Sequence, residues 1–186
     1  FRSCFTMRHE DLFYVLALLR VDGVGDILAK KLLSHCGNAQ EVFQIKNAKL
    51  HSLGQIGPNL VRKLKDPKAF RQAEIELDFI LRNNVKCTYF LDGNYPEKLK
   101  HCIDGPVLLF ESGNIDLQNR KIISIVGTRQ ITSYGQDFCR NLISEIAPLN
   151  PVIVSGFAYG VDIAAHLAAM DHGLQTVGVV AHGLNQ

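Results

Sequence analysis

The chain has 186 residues, of which 47% are hydrophobic and 20% are charged. This composition excludes a disordered or fibrous protein and fits one or two globular domains. The net charge of +2 is unevenly distributed, since residues 1–86 contain 14 Lys/Arg and 9 Asp/Glu whereas residues 87–186 contain 6 and 9. Charge alone would therefore place the first half against a polyanion, although a basic surface that only faces solvent fits equally well.

Residues 1–84 are predicted to form a small all-helical domain. The predicted helices cover residues 11–21, 27–35, 39–44, 47–53, 59–65 and 67–83. In the first of them Leu12, Val15, Leu16 and Leu19 recur at helical spacing, and Pro67 suits the first turn of the last. The first apolar run, residues 12–19, is too short to cross a membrane.

A Gly-Val-Gly turn joins the first two helices and predicts a helix-hairpin-helix. Glycines let such a turn lie close to a phosphate, and the next helix presents free backbone amides at its start. Gly23, Gly25, Lys30 and Lys31 are therefore candidates for a secondary DNA contact. Two aspartates flank the turn and would repel a phosphate, so a structural or protein-binding hairpin stays an alternative. A second hairpin, residues 54–57, is a weaker candidate because the proline after it removes an amide.

Residues 85–186 are predicted to form a mostly parallel α/β domain. Strands are expected over residues 86–91, 107–111, 121–126, 152–155 and 175–181, and helices over residues 136–147 and 162–172. The later strands are continuously apolar, as in a parallel sheet that is covered on both faces. Right-handed crossovers would bring the ends of the last three strands side by side.

The turn after strand 121–126 carries the strongest chemical signal in the chain. It reads Gly127-Thr128-Arg129-Gln130-Ile131-Thr132-Ser133-Tyr134-Gly135. A dinucleotide fingerprint would have glycine where Arg129 stands, so no dinucleotide cofactor is expected. A guanidinium can instead bind a phosphate through two hydrogen bonds. The amides of Gly127 and Thr128 and the hydroxyls of Thr128 and Thr132 are further donors. The alternatives are a salt bridge from Arg129 to a neighbouring loop and a packing role for Tyr134, which would otherwise stack on a base.

A second segment of small residues follows strand 152–155. Residues 155–160 offer backbone amides to an anion. Asp162 and His166 lie four residues apart on one helical face, where they can pair. A hydrolase triad with Ser155 is not expected, because the Gly-x-Ser-x-Gly nucleophile elbow is absent. The third strand end continues into His182, which we expect to be a loop residue and not a base.

The cysteines and histidines give no sign of a metal site. The five cysteines contain no Cys-x-x-Cys pair, and the seven histidines contain no His-x-x-x-His pair. The odd number and the wide scatter of the cysteines are typical of reduced thiols in a cytosolic protein. We therefore expect a cytoplasmic protein without a metal or a cofactor.

In this order, the motifs resemble those of the DNA-processing protein A family (DprA, also called Smf) over nearly the whole chain. The resemblance rests on the 127–135 turn, on Ser155-Gly156-x-Ala158-x-Gly160-Val161-Asp162-x-Ala164-Ala165-His166, on Tyr95-Pro96-x-x-Leu99 and on Gly105-Pro106-Val107-Leu108-Leu109. It implies a sterile-alpha-motif-like helical domain over residues 1–84 and a Rossmann-like domain over residues 85–186. It also implies a homodimer that binds single-stranded DNA, protects it and loads it with the RecA recombinase during natural transformation, with no enzymatic activity and no membrane contact.

The motifs and the resemblance together give one set of candidate DNA-binding residues. They are Gly127, Thr128, Arg129, Thr132, Tyr134, Ser155, Gly156, Phe157, Ala158, Gly160, Gly183 and Leu184. Members of this family usually continue beyond the third strand end, so the Rossmann-like domain is expected to be C-terminally incomplete.

Two other functions remain as alternatives. The first is a nucleotide-processing enzyme of the lysine-decarboxylase-like phosphoribohydrolase group, which has a similar sheet. Its Pro-Gly-Gly-x-Gly-Thr turn is not found in this sequence. The second is a structural or adaptor protein whose helical hairpins bind another protein.

Overall fold

The computed structural model describes residues 7–45, 57–115, 117 and 120–184. Its contacts divide the chain into two compact units, Phe1–Ser112 and Gly113–Gln186. The units therefore separate later in the chain than the predicted boundary between residues 84 and 85. That boundary stays a prediction about domains, whereas the units describe how the chain packs.

The first unit contains helices and one antiparallel strand pair. Its elements are α1 His9–Leu19, α2 Asp26–Cys36, α3 Ala39–Gln44, α4 Pro58–Leu64, α5 Pro67–Arg82, β1 Lys86–Tyr89, α6 Glu97–Lys100 and β2 Leu108–Glu111. Helices α1 to α5 correspond to the predictions over residues 11–21, 27–35, 39–44, 59–65 and 67–83. The predicted helix over residues 47–53 and most of the second hairpin lie outside the described residues.

One hydrophobic core explains why the first unit extends beyond its helices. Leu16 and Leu18 of α1 and Leu32 of α2 are almost fully buried, and helix α1 packs against α5 and α3. The same core contains Val107 and Leu108 at the start of β2, which pairs antiparallel with β1. The strand pair therefore completes the helical core and does not join the later sheet.

The second unit is a three-stranded parallel sheet with helices between its strands. Its elements are β3 Ile122–Ser124, α7 Ser133–Ile146, a 3₁₀ turn Ala147–Leu149, β4 Val152–Ser155, α8 Val161–Asp171 and β5 Thr176–Gly178. The strand order is β3-β4-β5, and both pairings are parallel. The predicted parallel arrangement of these strands is confirmed. Ile143, Ile153, Ala165 and Ala169 are fully buried at the core of this unit.

Three segments follow the carboxyl ends of the parallel strands. We name them the first loop (residues 125–132, after β3), the second loop (residues 156–160, after β4) and the third loop (residues 179–184, after β5). Parallel strands place such segments at one edge of the sheet, which is where α/β proteins bind ligands. The candidate DNA-binding residues lie in or directly beside these loops.

Candidate nucleic-acid interface

Hydrogen bonds hold the three loops together. The Val161 amide, at the start of α8, donates to the Thr128 carbonyl of the first loop at 3.1 Å. The buried Ser155 hydroxyl donates to the Ile125 carbonyl at 2.6 Å, and the Val179 amide donates to the Ser155 carbonyl at 2.8 Å. The three loops therefore converge as the sequence predicts.

Two glycines make the contact between the first and second loops possible. A Cβ on Gly127 would lie 2.6 Å from a methyl carbon of Val161. Gly160 has φ of +87°, and a Cβ there would overlap the carbonyl oxygen of Thr128. Both glycines therefore serve the close packing of the loops, and Gly160 also adopts a backbone conformation that other residues rarely accept.

Arg129 stands on the exposed side of the first loop. Within the part of the chain that the structure describes, its guanidinium has no hydrogen-bond or ion-pair partner. The expected alternative of a salt bridge to a neighbouring loop is therefore not formed by the described residues. Below it, the Thr128 hydroxyl accepts a hydrogen bond from the Gln130 amide at 3.1 Å, which fixes the turn that carries the arginine.

Exposed aromatic rings surround the loops. Tyr134 in the first turn of α7 is 78% exposed, and Phe157 and Tyr159 in the second loop are 72% and 79% exposed. The Phe157 ring lies against Gly178 of β5, where a Cβ would be 2.5 Å from a ring carbon. Exposing rings to this extent is unfavourable, because it leaves apolar surface in contact with water. The exposed rings offer faces on which nucleic-acid bases can stack.

The sequence reasoning did not include Tyr159 among the candidates. The available signal was an aromatic residue in a loop of otherwise small residues, between Ala158 and Gly160. Its exposure could not be read from that pattern, because a loop tyrosine is equally able to pack inward. The structure adds it to the candidate site.

A carboxylate of the helix that follows, α8, already contacts the second loop. The Ala158 amide donates to the carboxylate of the buried Asp162 at 3.4 Å, and a Cβ on Gly156 would lie 2.5 Å from the same carboxylate. This carboxylate takes up one of the amides that were expected to receive an external anion. One backbone donor of the second loop is therefore not available to a phosphate, whereas the exposed Arg129 guanidinium is available.

His166 has partners that differ from the expected one. Its Nε2 donates to the Gly156 carbonyl at 2.7 Å, and its Nδ1 lies 2.5 Å from the Thr176 hydroxyl. The ring therefore links the second loop to β5, in place of the predicted pairing with Asp162. Since the Ser155 hydroxyl is buried and donates to a carbonyl, Ser155 and His166 do not form a nucleophile and base.

The remaining candidates have varied positions. The Thr132 hydroxyl accepts a hydrogen bond from the Gly135 amide at 3.1 Å and caps α7. Gly183 and Leu184 are exposed in the third loop, where the Gly183 carbonyl accepts a hydrogen bond from His182 Nδ1 at 2.9 Å. We therefore assign these residues to shaping the loops and not to supplying further hydrogen-bond donors for a phosphate.

The first hairpin is fastened to the rest of its own unit. The Lys30 ammonium group lies 3.4 Å from the Cys102 carbonyl oxygen and 5.6 Å from the centre of the Phe90 ring. The Asp26 carboxylate accepts a hydrogen bond from the Val107 amide at 2.7 Å. An open cavity of about 420 Å³ adjoins the turn and is lined in part by Lys31. Gly23 and Gly25 are exposed, while these contacts favour the structural alternative for Lys30.

Residues 7–45, 57–115, 117 and 120–184 contain no group of three or more His, Cys, Asp or Glu side chains placed to hold a metal ion. They also contain no helix with the length and hydropathy needed to cross a bilayer.

Comparison with known proteins identifies the family of the chain. The family model of the DNA recombination-mediator protein A matches residues 86–186. The DNA processing protein DprA of Streptococcus pneumoniae is 40% identical over 95 residues, which cover 51% of this chain and 33% of that protein. Protein Smf of Synechocystis sp. is 26% identical over 186 residues, which cover 96% of this chain and 46% of that protein.

Comparison with a solved structure gives a match to the same family. The X-ray structure of DNA processing protein A from S. pneumoniae matches 98% of this chain with a TM-score of 0.70 and 26% sequence identity, and the match covers 60% of that chain. The chain thus spans less than half of each of these two relatives and less than two thirds of the matched structure.

Proposed function

Since the chain belongs to the DNA recombination-mediator protein A family, we propose that it binds single-stranded DNA at the three loops of its parallel sheet. In this proposal it protects incoming DNA in the cytoplasm and loads RecA on it during natural transformation. It acts as a homodimer and catalyses no reaction. The names of its relatives as DNA processing proteins support the choice of ligand.

The observation that carries the proposal is the Arg129 guanidinium, which has no partner among the residues that the structure describes. It is exposed at the edge where the three loops converge, with its turn fixed by hydrogen bonds. A free arginine can bind a phosphate through two charge-assisted hydrogen bonds. The buried carboxylate of Asp162 lies on the loop's inner side, so it orders the second loop without facing solvent.

The aromatic rings explain why the proposed ligand is a single strand. Tyr134, Phe157 and Tyr159 can stack only on bases whose faces are accessible, and a duplex hides those faces inside its stack. Phosphate contacts from Arg129 would give affinity without sequence preference. The combination fits a protein that binds a strand of any sequence.

The candidate residues divide into two roles within this proposal. Arg129, Tyr134, Phe157 and Tyr159 contact the strand through their side chains. The remaining residues shape or hold the loops that present them, or contribute backbone donors: Gly127, Thr128, Thr132, Ser155, Gly156, Ala158, Gly160, Gly183 and Leu184.

The experiment compares Arg129→Ala with Arg140→Ala. Arg140 is an exposed arginine of the same unit, and it pairs with Asp137 at 3.3 Å. Fluorescence anisotropy with labelled oligo-dT is expected to show at least tenfold weaker binding for Arg129→Ala, since a charge-assisted contact is worth roughly 1.5–3 kcal/mol. Arg140→Ala should bind as the unmodified protein does. Equal affinities for all three proteins would remove Arg129 from the site.

A further inference from the structure

A dense group of cations lies at the junction of α4 and α5 in the first unit. Residues 62–71 contain five cations and a single acidic residue, Asp66. The cations, which we name the basic corner, are Arg62, Lys63, Lys65, Lys68 and Arg71. All but the half-buried Lys63 are exposed.

Most acids near the basic corner are engaged, whereas Glu74, three residues after Arg71 on α5, is exposed and pairs with no residue that the structure describes. The Asp66 carboxylate caps α5 by accepting a hydrogen bond from the Lys68 amide at 2.9 Å. Further along α5, Glu76 pairs with Arg20 at 2.7 Å and Asp78 pairs with Arg82 at 2.8 Å. Among the residues that the structure describes, the lysines and Arg71 of the corner have no ion-pair partner, and Arg62 donates to the neutral amide of Asn59.

Helix stability explains only part of this arrangement. Arg62 and Lys63 lie in the last turn of α4, where positive charge is favourable. Lys68 lies in the first turn of α5, where positive charge opposes the helix dipole. Lys68 and Arg71 are three residues apart and repel each other on one helical face. Charges that oppose their own helix are expected where a partner supplies the opposite charge.

We propose that the basic corner binds the sugar-phosphate backbone of nucleic acid, as a second contact in addition to the loops around Arg129. Lysine presents a point charge without a planar fork, so the contact is expected to be independent of base sequence. Neither element of the corner belongs to the parallel sheet, and the inference does not depend on Arg129. A single strand and a duplex share the chemistry that the corner would recognise.

The test uses the double variant Lys65→Gln/Lys68→Gln and the matched control Lys98→Gln/Lys100→Gln on α6 of the same unit. Both remove two positive charges from exposed positions. Anisotropy titrations of the whole chain use a 40-nucleotide oligo-dT and a 40-base-pair duplex at 0.1 M salt. For single strands, the logarithm of the binding constant falls by about 0.7 for each phosphate contact when the salt concentration rises tenfold. Each contact therefore adds a factor of roughly five at 0.1 M salt relative to 1 M, and its loss should weaken binding by that factor. The control should change little.

Three results would overturn the inference. They are unchanged affinity for both nucleic acids, an equal loss in the control variant, and loss of binding to poly-glutamate with nucleic-acid binding intact, which would indicate an acidic protein partner. Loss for only one of the two nucleic acids supports the contact and identifies its form.

Two further measurements separate this inference from other effects. The double change should still weaken binding in an Arg129→Ala background, so failure of the loop site and failure of the corner are distinguishable. Lys68→Gln alone should keep or raise the melting temperature, because it removes a charge that opposes the α5 dipole. A lower melting temperature with weaker binding would attribute the effect to folding and contradict the proposal.

Discussion

At the residue scale, the second loop and Arg129 have complementary roles. The Ala158 amide is occupied by the Asp162 carboxylate, and the Gly156 carbonyl is occupied by His166. One amide of the segment that looked most like an anion nest is therefore taken up by a carboxylate of its own chain. Arg129 has no such partner among the described residues, which is why a single guanidinium carries the phosphate contact in this account.

Tyr159 gives a prediction about bases. Replacing Tyr159 with alanine should weaken binding of oligo-dT by at least fivefold, since stacking on an aromatic ring is worth about 1–3 kcal/mol per base. Binding of an abasic oligonucleotide of the same length should not change. Tyr159→Phe is the control, because it keeps the ring and should keep the affinity for both. An equal loss on both oligonucleotides would show that the side chain does not contact bases.

The half-buried Cys87 gives a prediction about pH. Burial, with smaller contributions from Glu76 and Glu111, raises the pKa of its thiol to about 11. Because the thiolate is the reactive form, iodoacetamide at pH 8.5 should modify Cys87 at least tenfold more slowly than the exposed Cys102. The Cys87 rate should rise with pH until about pH 11. Peptide mass spectrometry measures both sites, and comparable rates at pH 8.5 would contradict the burial of Cys87.

At the element scale, much of the fold follows from local pattern. Continuous apolar runs gave the strands β3 to β5, and Pro67 marked the start of α5. Helix α7 begins at Ser133, earlier than the predicted residue 136, because the Thr132 side chain caps it. Helix α1 begins at His9, two residues before its predicted start at residue 11, and the Asp11 carboxylate pairs with Arg8 at 3.0 Å.

Features that depend on distant residues could not be read from the sequence. The antiparallel pairing of β1 with β2 joins segments that are separated by a loop and a short helix. Within the site, convergence of the loops followed from parallel topology, whereas the link from His166 to Thr176 and the exposure of Tyr159 depend on packing. Spacing along one helix predicted a local pair for His166, and contacts across the sheet took precedence.

The contact between the first and second loops gives a prediction about stability. Gly160→Ala should destabilise the protein, because alanine at positive φ is strained and its Cβ would overlap the Thr128 carbonyl. Gly173→Ala is the control, since Gly173 also has positive φ but its Cβ would meet no atom within 4 Å. Urea unfolding should show a loss of about 1–2 kcal/mol for the strain alone and a larger loss at Gly160. Equal losses would mean that the loops do not pack as described.

At the scale of the whole molecule, the densest group of cations and the strand-end loops lie in different units. The first unit holds the basic corner, whereas the strand-end loops belong to a unit whose sequence is poor in cations. The family model begins at residue 86, so it includes the β1–β2 pair that packs on the helical core. The chain therefore combines a parallel sheet that carries the strand-end loops with a helical unit that carries a positively charged surface.

Salt dependence separates these contributions. The logarithm of the dissociation constant for oligo-dT should rise linearly with the logarithm of salt concentration, by about 0.7 for each phosphate contact. Arg129→Ala should lower that slope by about 0.7, and Arg140→Ala should leave it unchanged. A slope that is near zero for the unmodified protein would rule out binding through phosphates.

Amide hydrogen exchange with and without oligo-dT tests most directly whether a single strand lies across the three loops. We expect slower exchange on binding in residues 125–134, 157–160 and 179–184, because a strand held by Arg129 and the aromatic rings would cover these segments. Protection confined to the helices of the first unit, with the three loops exchanging as in the free protein, would show that the strand does not bind at the loops.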